Sequence, residues 1–319
     1  MSYKPTFFNN FAAKFYTTYQ KVKMKFVFIV NPISGTKGKQ HIVKLLPDYF
    51  EEGSYAIRYT ERAGHAEELA REAAAQGAEV VVAVGGDGTV NEVACGLVHT
   101  ATALGIVPCG SGNGLARHLG IPMRPEKALE VLRAMDIRTC DYGLICGHPF
   151  FCTAGVGFDA QVSYTFAHAG KRGLPTYLKT TIGVGMKYQG EDYTIEIHDH
   201  NKQEQKRCWL VTAANAAQYG NDFFIAPKAS VCDGLLDVNI WTTFNKFTSP
   251  MVGLSLHNGT IDQNKHVEVV RCKKITIHRE KEGPIQWDGD PSEGPKDVVI
   301  EAVEGGIHMV VGKPRKNVL

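Results

Sequence analysis

Residues 79–98 run EVVVAVGGDGTVNEVACGLV. The opening Glu79–Val84 is a valine run of strand length, the composition of a strand buried on both faces. Three glycines in four positions follow, Gly85, Gly86 and Gly88, with Asp87 among them. From Thr89 to Val98 the apolar spacing turns helical. Without Cβ atoms the backbone at 85–88 can approach a ligand closely. The helix starting at Thr89 aims free N–H groups and its positive dipole end at the same spot, which suits a phosphate. Thr89 can equally serve as a helix cap. Asp87 has little packing value amid glycines, and beside phosphates an acid suits a metal ion or proton transfer.

Working outward, the same rhythm holds from Lys25 to about Ala134. Strands are expected at Phe26–Val30, Tyr55–Thr60 and Ala103–Val107, and helices at Ile42–Phe50, His65–Gln76, Gly112–Leu119 and Pro125–Ala134. Apolar strands separated by helices predict a doubly wound parallel sheet, with ligands at the carboxyl ends of the strands. Two more polar turns sit at such ends. Asn31-Pro32-Ile33-Ser34-Gly35 follows the first strand, and alone it reads as an ordinary strand-to-helix turn. Pro108-Cys109-Gly110-Ser111-Gly112-Asn113-Gly114 follows the fourth. No Gly-Lys-Ser/Thr follows these glycines and no GxGxxG opens the first turn, so neither a P-loop nor a dinucleotide fingerprint is present. Three converging turns predict a nucleotide polyphosphate held mainly by backbone amides.

After about Arg138 the pattern changes. Tyr193–His198, Trp209–Ala214, Leu236–Trp241, Val267–Val270, Lys274–His278 and Val298–Ala302 read as antiparallel strands of a sandwich or barrel. One helix is expected near Leu174–Tyr188. The domain boundary falls near 137.

With 319 residues, 44% apolar and 21% charged, the chain has the composition of a two-domain globular protein. A net charge of +2 argues against a dedicated nucleic-acid binder. No run reaches the roughly 18 apolar residues of a spanning helix. The eight cysteines form no CxxC pair and read as reduced thiols of a cytoplasmic protein. Residues 1–23 hold four of the 35 basic residues and no acid, which leaves residues 24–319 at −2. In that leader Phe8, Phe11, Phe15 and Tyr19 share one helical face, with Lys4, Lys14, Lys21 and Lys23 nearby. The pattern suits a helix in a membrane interface, and equally one packed on the protein or on a homodimer partner.

Together, NPxSG at Asn31–Gly35, GGDGTVNE at Gly85–Glu92 and GSGN at Gly110–Asn113 resemble the diacylglycerol kinase catalytic-domain family of soluble lipid kinases, related to sphingosine and ceramide kinases. The resemblance continues through Thr60 with Gly64-His65-Ala66, Gly157-Phe158-Asp159-Ala160, Lys171-Arg172-Gly173, Pro227-Lys228-Ala229, Asp233-Gly234-Leu235-Leu236-Asp237 and Asp288-Gly289-Asp290-Pro291. It spans about residues 25–311.

The resemblance implies an α/β nucleotide domain over 24–137, a β-sandwich lipid domain over 138–304, and a tail near 305–319 returning to the first domain. It implies transfer of the γ-phosphoryl of ATP to a lipid hydroxyl at a membrane surface, with Mg²⁺. Asn31, Pro32, Ile33, Ser34, Gly35, Thr60, Gly85, Gly86, Asp87, Gly88, Thr89, Val90, Asn91, Glu92 and Ser111 would bind ATP. Ser230 and Leu235, through carbonyls, and Asp233 would hold a structural magnesium, whereas as plain sequence Asp233-Gly234 is also a hairpin turn. Asp290, Asp288 and Asp87 are the catalytic candidates, in that order.

Two departures stand out. The family's Asp-Gly-Glu is Asp288-Gly289-Asp290 here, one methylene shorter, and Asn113-Gly114 replaces the Asn-Asp of many bacterial members. As plain sequence, Asp288–Pro291 is a polar turn. Asp159 falls where sphingosine kinases meet the lipid head group and is otherwise a turn aspartate. Lys171 and Arg172 face transferred phosphate or form a solvated basic pair. An apolar cleft for the lipid tail is expected around Tyr164–Met186. The competing readings are an NAD kinase-like enzyme sharing GGDGT, and a lipid- or nucleotide-binding protein without turnover.

Overall fold

The computed structural model describes residues 25–32, 39–169, 174–242 and 249–313. In the first unit the chain runs β1 (Phe26–Val30), α1 (Lys39–Tyr49), β2 (Tyr55–Tyr59), α2 (His65–Ala75), β3 (Val80–Gly85), α3 (Asp87–Leu97), β4 (Ala103–Pro108), α4 (Gly114–His118) and α5 (Pro125–Ala134). The strands pair in parallel in the order β2-β1-β3-β4. Every residue of β1, β3 and β4 is buried, because helices cover both faces of the sheet. Their apolar runs, FVFIV, VVVAVG and ALGIVP, are the cause.

The second unit runs β5 (Ile137–Ile145), β6 (His148–Phe150), β7 (Thr153–Gly157), α6 (Phe158–Ala167), α7 (Leu174–Lys187), β8 (Glu191–Ile197), β9 (Lys202–Ala214), β10 (Leu236–Thr242), α8 (Ser249–Asn258), β11 (Val267–Cys272), β12 (Lys274–His278), β13 (Gly283–Trp287), β14 (Asp290–Gly294) and β15 (Asp297–Val310). Its pairings are antiparallel: β14-β13-β7-β9-β8-β12-β15, with β10 and β11 branching from β9 and β5 and β6 from β15. The inner faces of this sandwich meet in a core that includes Phe150, Tyr193, Val211, Ile240, Ile275, Ile285 and Ile300. A separate cluster joins Leu210 and Trp241, opposite one another on β9 and β10, to Phe158 of α6 and Val252 of α8.

β15 joins the two units. Val298–Ile300 pair with β12, and His308 and Met309 lie parallel to Ala103 and Leu104 of β4. The parallel and antiparallel regions are therefore one continuous sheet.

Several elements differ from the sequence reading. α3 begins at Asp87 rather than Thr89, because Gly86 takes the N-cap position and draws the acid into the first helical turn. α4 is shorter than expected, since Asn113 adopts a left-handed φ of 54° before it. The strands β5, β6, β7, β13 and β14 and the helices α6 and α8 go beyond the elements expected from sequence. β5 begins with three exposed residues, so its pattern resembles a loop, and α8 contains Ser, Pro and Gly, weak helix formers. Residues 1–23, with the proposed aromatic face, lie outside the described residues.

Candidate active site

Three backbone turns are drawn together at the carboxyl end of the parallel sheet. β3 and β4 lie side by side, so the turns that follow them abut. A Cβ on Gly110 would sit 2.6 Å from the Gly86 Cα, so only glycine lets these two turns touch. Asp87 fastens the contact: its Oδ1 accepts the Gly114 N–H at 2.7 Å and its Oδ2 the Asn113 N–H at 2.9 Å. Asn113 shapes the third turn, accepting from Gly110 N–H at 2.9 Å and donating to the Gly110 carbonyl at 2.8 Å. Ser111 stays exposed at its tip.

The first turn reaches the same place. Asn31 Nδ2 donates to Thr89 Oγ1 at 3.3 Å, and Thr89 is buried. Lys39, in the first turn of α1, donates its ammonium to the Asn31 carbonyl. It is only 7% exposed, burial pulls its pKa down, and Cys109 of the third turn lies within electrostatic reach. Thr60, at the end of β2, is buried and held by the Val30 carbonyl at 3.0 Å. Ile33, Ser34 and Gly35 lie outside the described residues.

The second unit enters through a hairpin. Trp287 and Asp290 pair across a two-residue turn whose residues, Asp288 and Gly289, have φ of 49° and 89°. This is the mirror-image turn that Asp-Gly favours. The carboxylate of Asp288 points inward and is fully engaged. Its Oδ2 accepts from Asn91 Nδ2 and the Phe151 N–H, both at 2.9 Å. Its Oδ1 accepts from the Cys152 N–H at 2.7 Å and the Thr153 N–H at 3.1 Å. Burial pushes this carboxyl up to about 6, against the pull of those four donors. Asn91 sits one helical turn after Asp87, so α3 contacts the third turn with one residue and the hairpin with the other. Asp290 is exposed at the start of β14.

Other predicted residues take different roles. Glu92 accepts the Ala66 N–H at 3.1 Å and so caps the start of α2. Val90 is buried in the core. Asp159 is 8% exposed, and its Oδ2 already meets Thr212 at 2.6 Å, Gln286 at 3.1 Å and Tyr219 at 3.3 Å. Its carboxyl is raised, chiefly by burial. Protein donors thus enclose the acid expected to meet a head group. Lys171 and Arg172 lie outside the described residues.

Ser230, Asp233 and Leu235 share one loop. Asp233 Oδ1 accepts the Leu235 N–H at 3.1 Å, and its Oδ2 is taken by the Arg271 guanidinium. Ser230 Oγ accepts the Cys232 N–H at 3.2 Å.

Residues 25–145 match the diacylglycerol kinase catalytic domain, and residues 152–311 match the YegS C-terminal NAD kinase beta sandwich-like domain. A Chromohalobacter salexigens protein named "Probable lipid kinase YegS-like" is 30% identical over 74% of this chain and 77% of its own. The chain belongs to the diacylglycerol kinase catalytic domain family. A Bacillus subtilis protein named "Diacylglycerol kinase" is 29% identical over 82% of this chain and 88% of its own. The fold is shared with a crystal structure of a diacylglycerol kinase from Bacillus anthracis, at 20% identity and a TM-score of 0.69 over 91% of this chain and 97% of that one.

In this lipid kinase family member two site features escape the sequence patterns. Lys39 stands outside every motif, and its only signal is a lysine at the start of the helix after the first turn. Asn91, expected among the nucleotide-binding residues, also holds Asp288 with its amide across 197 positions.

The expected structural magnesium does not fit the loop as it stands. The one acidic ligand has both oxygens committed, one of them to a cation. Among the described residues no three His, Cys, Asp or Glu side chains group as a metal site, and no helix is long and apolar enough to cross a membrane.

Proposed function

We propose that this protein transfers the γ-phosphoryl group of ATP to the hydroxyl of a diacylglycerol-like or sphingoid-like lipid. The observation that carries the reading is the double attachment of α3. Asp87 binds it to the Gly110–Gly114 turn, and Asn91 binds it to the Asp288-Gly289 hairpin. A phosphate cradle and an acid-bearing hairpin from the other unit are thereby held to one rigid helix. Phosphoryl transfer asks little covalent chemistry of a protein, and fixed geometry with charge neutralisation supplies most of the rate.

The glycine turns and the α3 amino terminus take the polyphosphate, with the Lys39 ammonium as the cation beside them. Magnesium accompanying ATP would neutralise further phosphate charge. Asp290 accepts the proton of the attacking hydroxyl. Asp288 is a positioning residue, since four N–H donors occupy the lone pairs a substrate proton would need. Asp87 likewise fastens one turn to another.

Approach to a bilayer is supported by four exposed apolar side chains, Ile182 and Met186 on α7 and Met251 and Leu254 on α8, 60–70% exposed. Neither helix contains an acid. Peripheral membrane association follows on this reading.

The test is labelled ATP with vesicles carrying diacylglycerol, a sphingoid base or phosphatidylglycerol, and NAD in a separate arm. Label in a lipid product is expected; label in NAD alone would overturn the lipid assignment. Asp290→Asn should lower turnover by about 10²–10⁴-fold with nucleotide affinity unchanged. Near-normal turnover would remove Asp290 from the role of base.

A further inference from the structure

The loop 230–237, Ser-Val-Cys-Asp-Gly-Leu-Leu-Asp, follows the segment that packs on the phosphate turns and runs into the first two residues of β10. The segment before it packs on the nucleotide unit: Asn221 N–H donates to the Gly112 carbonyl, and Arg117 pairs with Asp222 at 3.1 Å. Three carboxylates hold the loop. Asp141, 3% exposed, accepts the Gly234 N–H and the Gly305 N–H, each at 2.7 Å. Asp233 accepts the Leu235 N–H. Asp237 has a side chain only 3% exposed, and its Oδ2 receives no hydrogen bond among the described residues.

Two unmatched carboxylates close together, one of them buried, require a positive charge. Arg271 supplies it. Strand register sets Arg271 directly across from Asp237 on β11 and β10, so the two side chains share a face. The guanidinium donates Nη2 to Asp233 Oδ2, and its Nε lies 3.6 Å from Asp237 Oδ2. The other basic groups nearby have their own acids: Lys228 pairs with Asp262 at 2.7 Å and Lys273 with Glu304 at 3.2 Å.

We propose that Arg271 is the resident cation of this loop, an internal guanidinium in the place of the divalent ion expected there. A planar guanidinium suits the task, because one fork reaches two carboxylates. Magnesium would need the Asp233 oxygen at about 2.0–2.1 Å, in space the guanidinium fills. The loop therefore keeps its shape without a metal. The inference concerns the fold and holds whatever acceptor the enzyme uses.

Thermal unfolding of the nucleotide-free protein tests it, in excess EDTA and in millimolar MgCl₂ or CaCl₂. The wild-type midpoint is expected to be the same in all three. Arg271→Met should melt about 5 °C or more lower in EDTA, from loss of a partly buried charge pair, and should regain stability saturably as Mg²⁺ is added. A wild-type midpoint that falls in EDTA and returns with Mg²⁺ would overturn the proposal, as would wild-type stability of Arg271→Met in EDTA. Should Arg271→Met fail to fold, the triple variant Arg271→Met, Asp233→Asn, Asp237→Asn removes the cation and its two acids together. It is expected to fold and to ignore Mg²⁺. Failure of the triple variant to fold, or a Mg²⁺ response from it, would show that charge balance is not what Arg271 provides.

Discussion

Replacing Asp288 by Asn isolates the cost of burying one carboxylate at the junction of the two units. Asn tolerates the left-handed conformation at 288, and Asn-Gly suits the same turn, so the hairpin survives. The titrating group is lost. Burial raises the Asp288 carboxyl from 3.8 to about 6 in the folded protein. A folded pKa above the unfolded one means that the native state binds the proton more tightly. The stabilisation is thus complete below pH 4 and is lost as pH rises through about 6. The rise from 3.8 to about 6 is worth about 3 kcal/mol. The assay is urea unfolding of wild type and Asp288→Asn between pH 4 and pH 7.5, followed by tryptophan emission, with Trp287 adjacent as a reporter. All other titrating groups cancel in the difference. Wild-type stability minus variant stability should fall by about 3 kcal/mol across pH 4–6.5 and then level off. A difference that rises with pH would refute the reasoning, for it would mean that the four donors outweigh burial and hold the carboxylate ionised below its ordinary range.

Lys39→Met should weaken nucleotide binding by about 10–100-fold, the worth of one charged hydrogen bond, as read by calorimetry. Unchanged affinity would confine Lys39 to supporting the Asn31 turn. Gly110→Ala forces a methyl group against the Gly86 backbone and should cost about 1–3 kcal/mol in denaturant unfolding, with loss of nucleotide affinity. An unperturbed variant would show that the two turns do not touch. The Cys140 and Cys232 sulfurs lie 3.6 Å apart, one cysteine buried and the other exposed. Treatment with oxidised glutathione should therefore close a disulfide, read as two fewer free thiols and a mass lower by two hydrogens. Retention of both thiols would count against that proximity.

Much of the first unit was legible because its signals are local. The valine runs at 26–30 and 80–84 and the glycines after them specify strand, turn and helix within a dozen residues each. The β region was harder to read. β5, β13 and β14 show no regular alternation of exposed and buried positions, and β5 and β13 also pair with β15 and β7, far along the chain. The site divides the same way. The turns at Gly85–Thr89 and Gly110–Asn113 could be named from glycine and hydroxyl content, and the one at Asn31 only from its company with them. That Asp87 serves Asn113 and Gly114, or that Glu92 caps α2, depends on which backbone amides the packed chain brings within reach.

By itself, then, the sequence determined the class of each turn, the parallel order implied by alternating strands and helices, and the set of acids available for chemistry. Only the tertiary structure decided what each acid does. Asp288 and Asp290 are two residues apart, yet the hairpin turns one inward onto four N–H donors and leaves the other exposed. Asp233 looked like a metal ligand until strand register brought Arg271 to it. The physical reason is common to both. A carboxylate's role is set by the donors and charges around it, and those come from strands, turns and helices that meet only when the sheet closes.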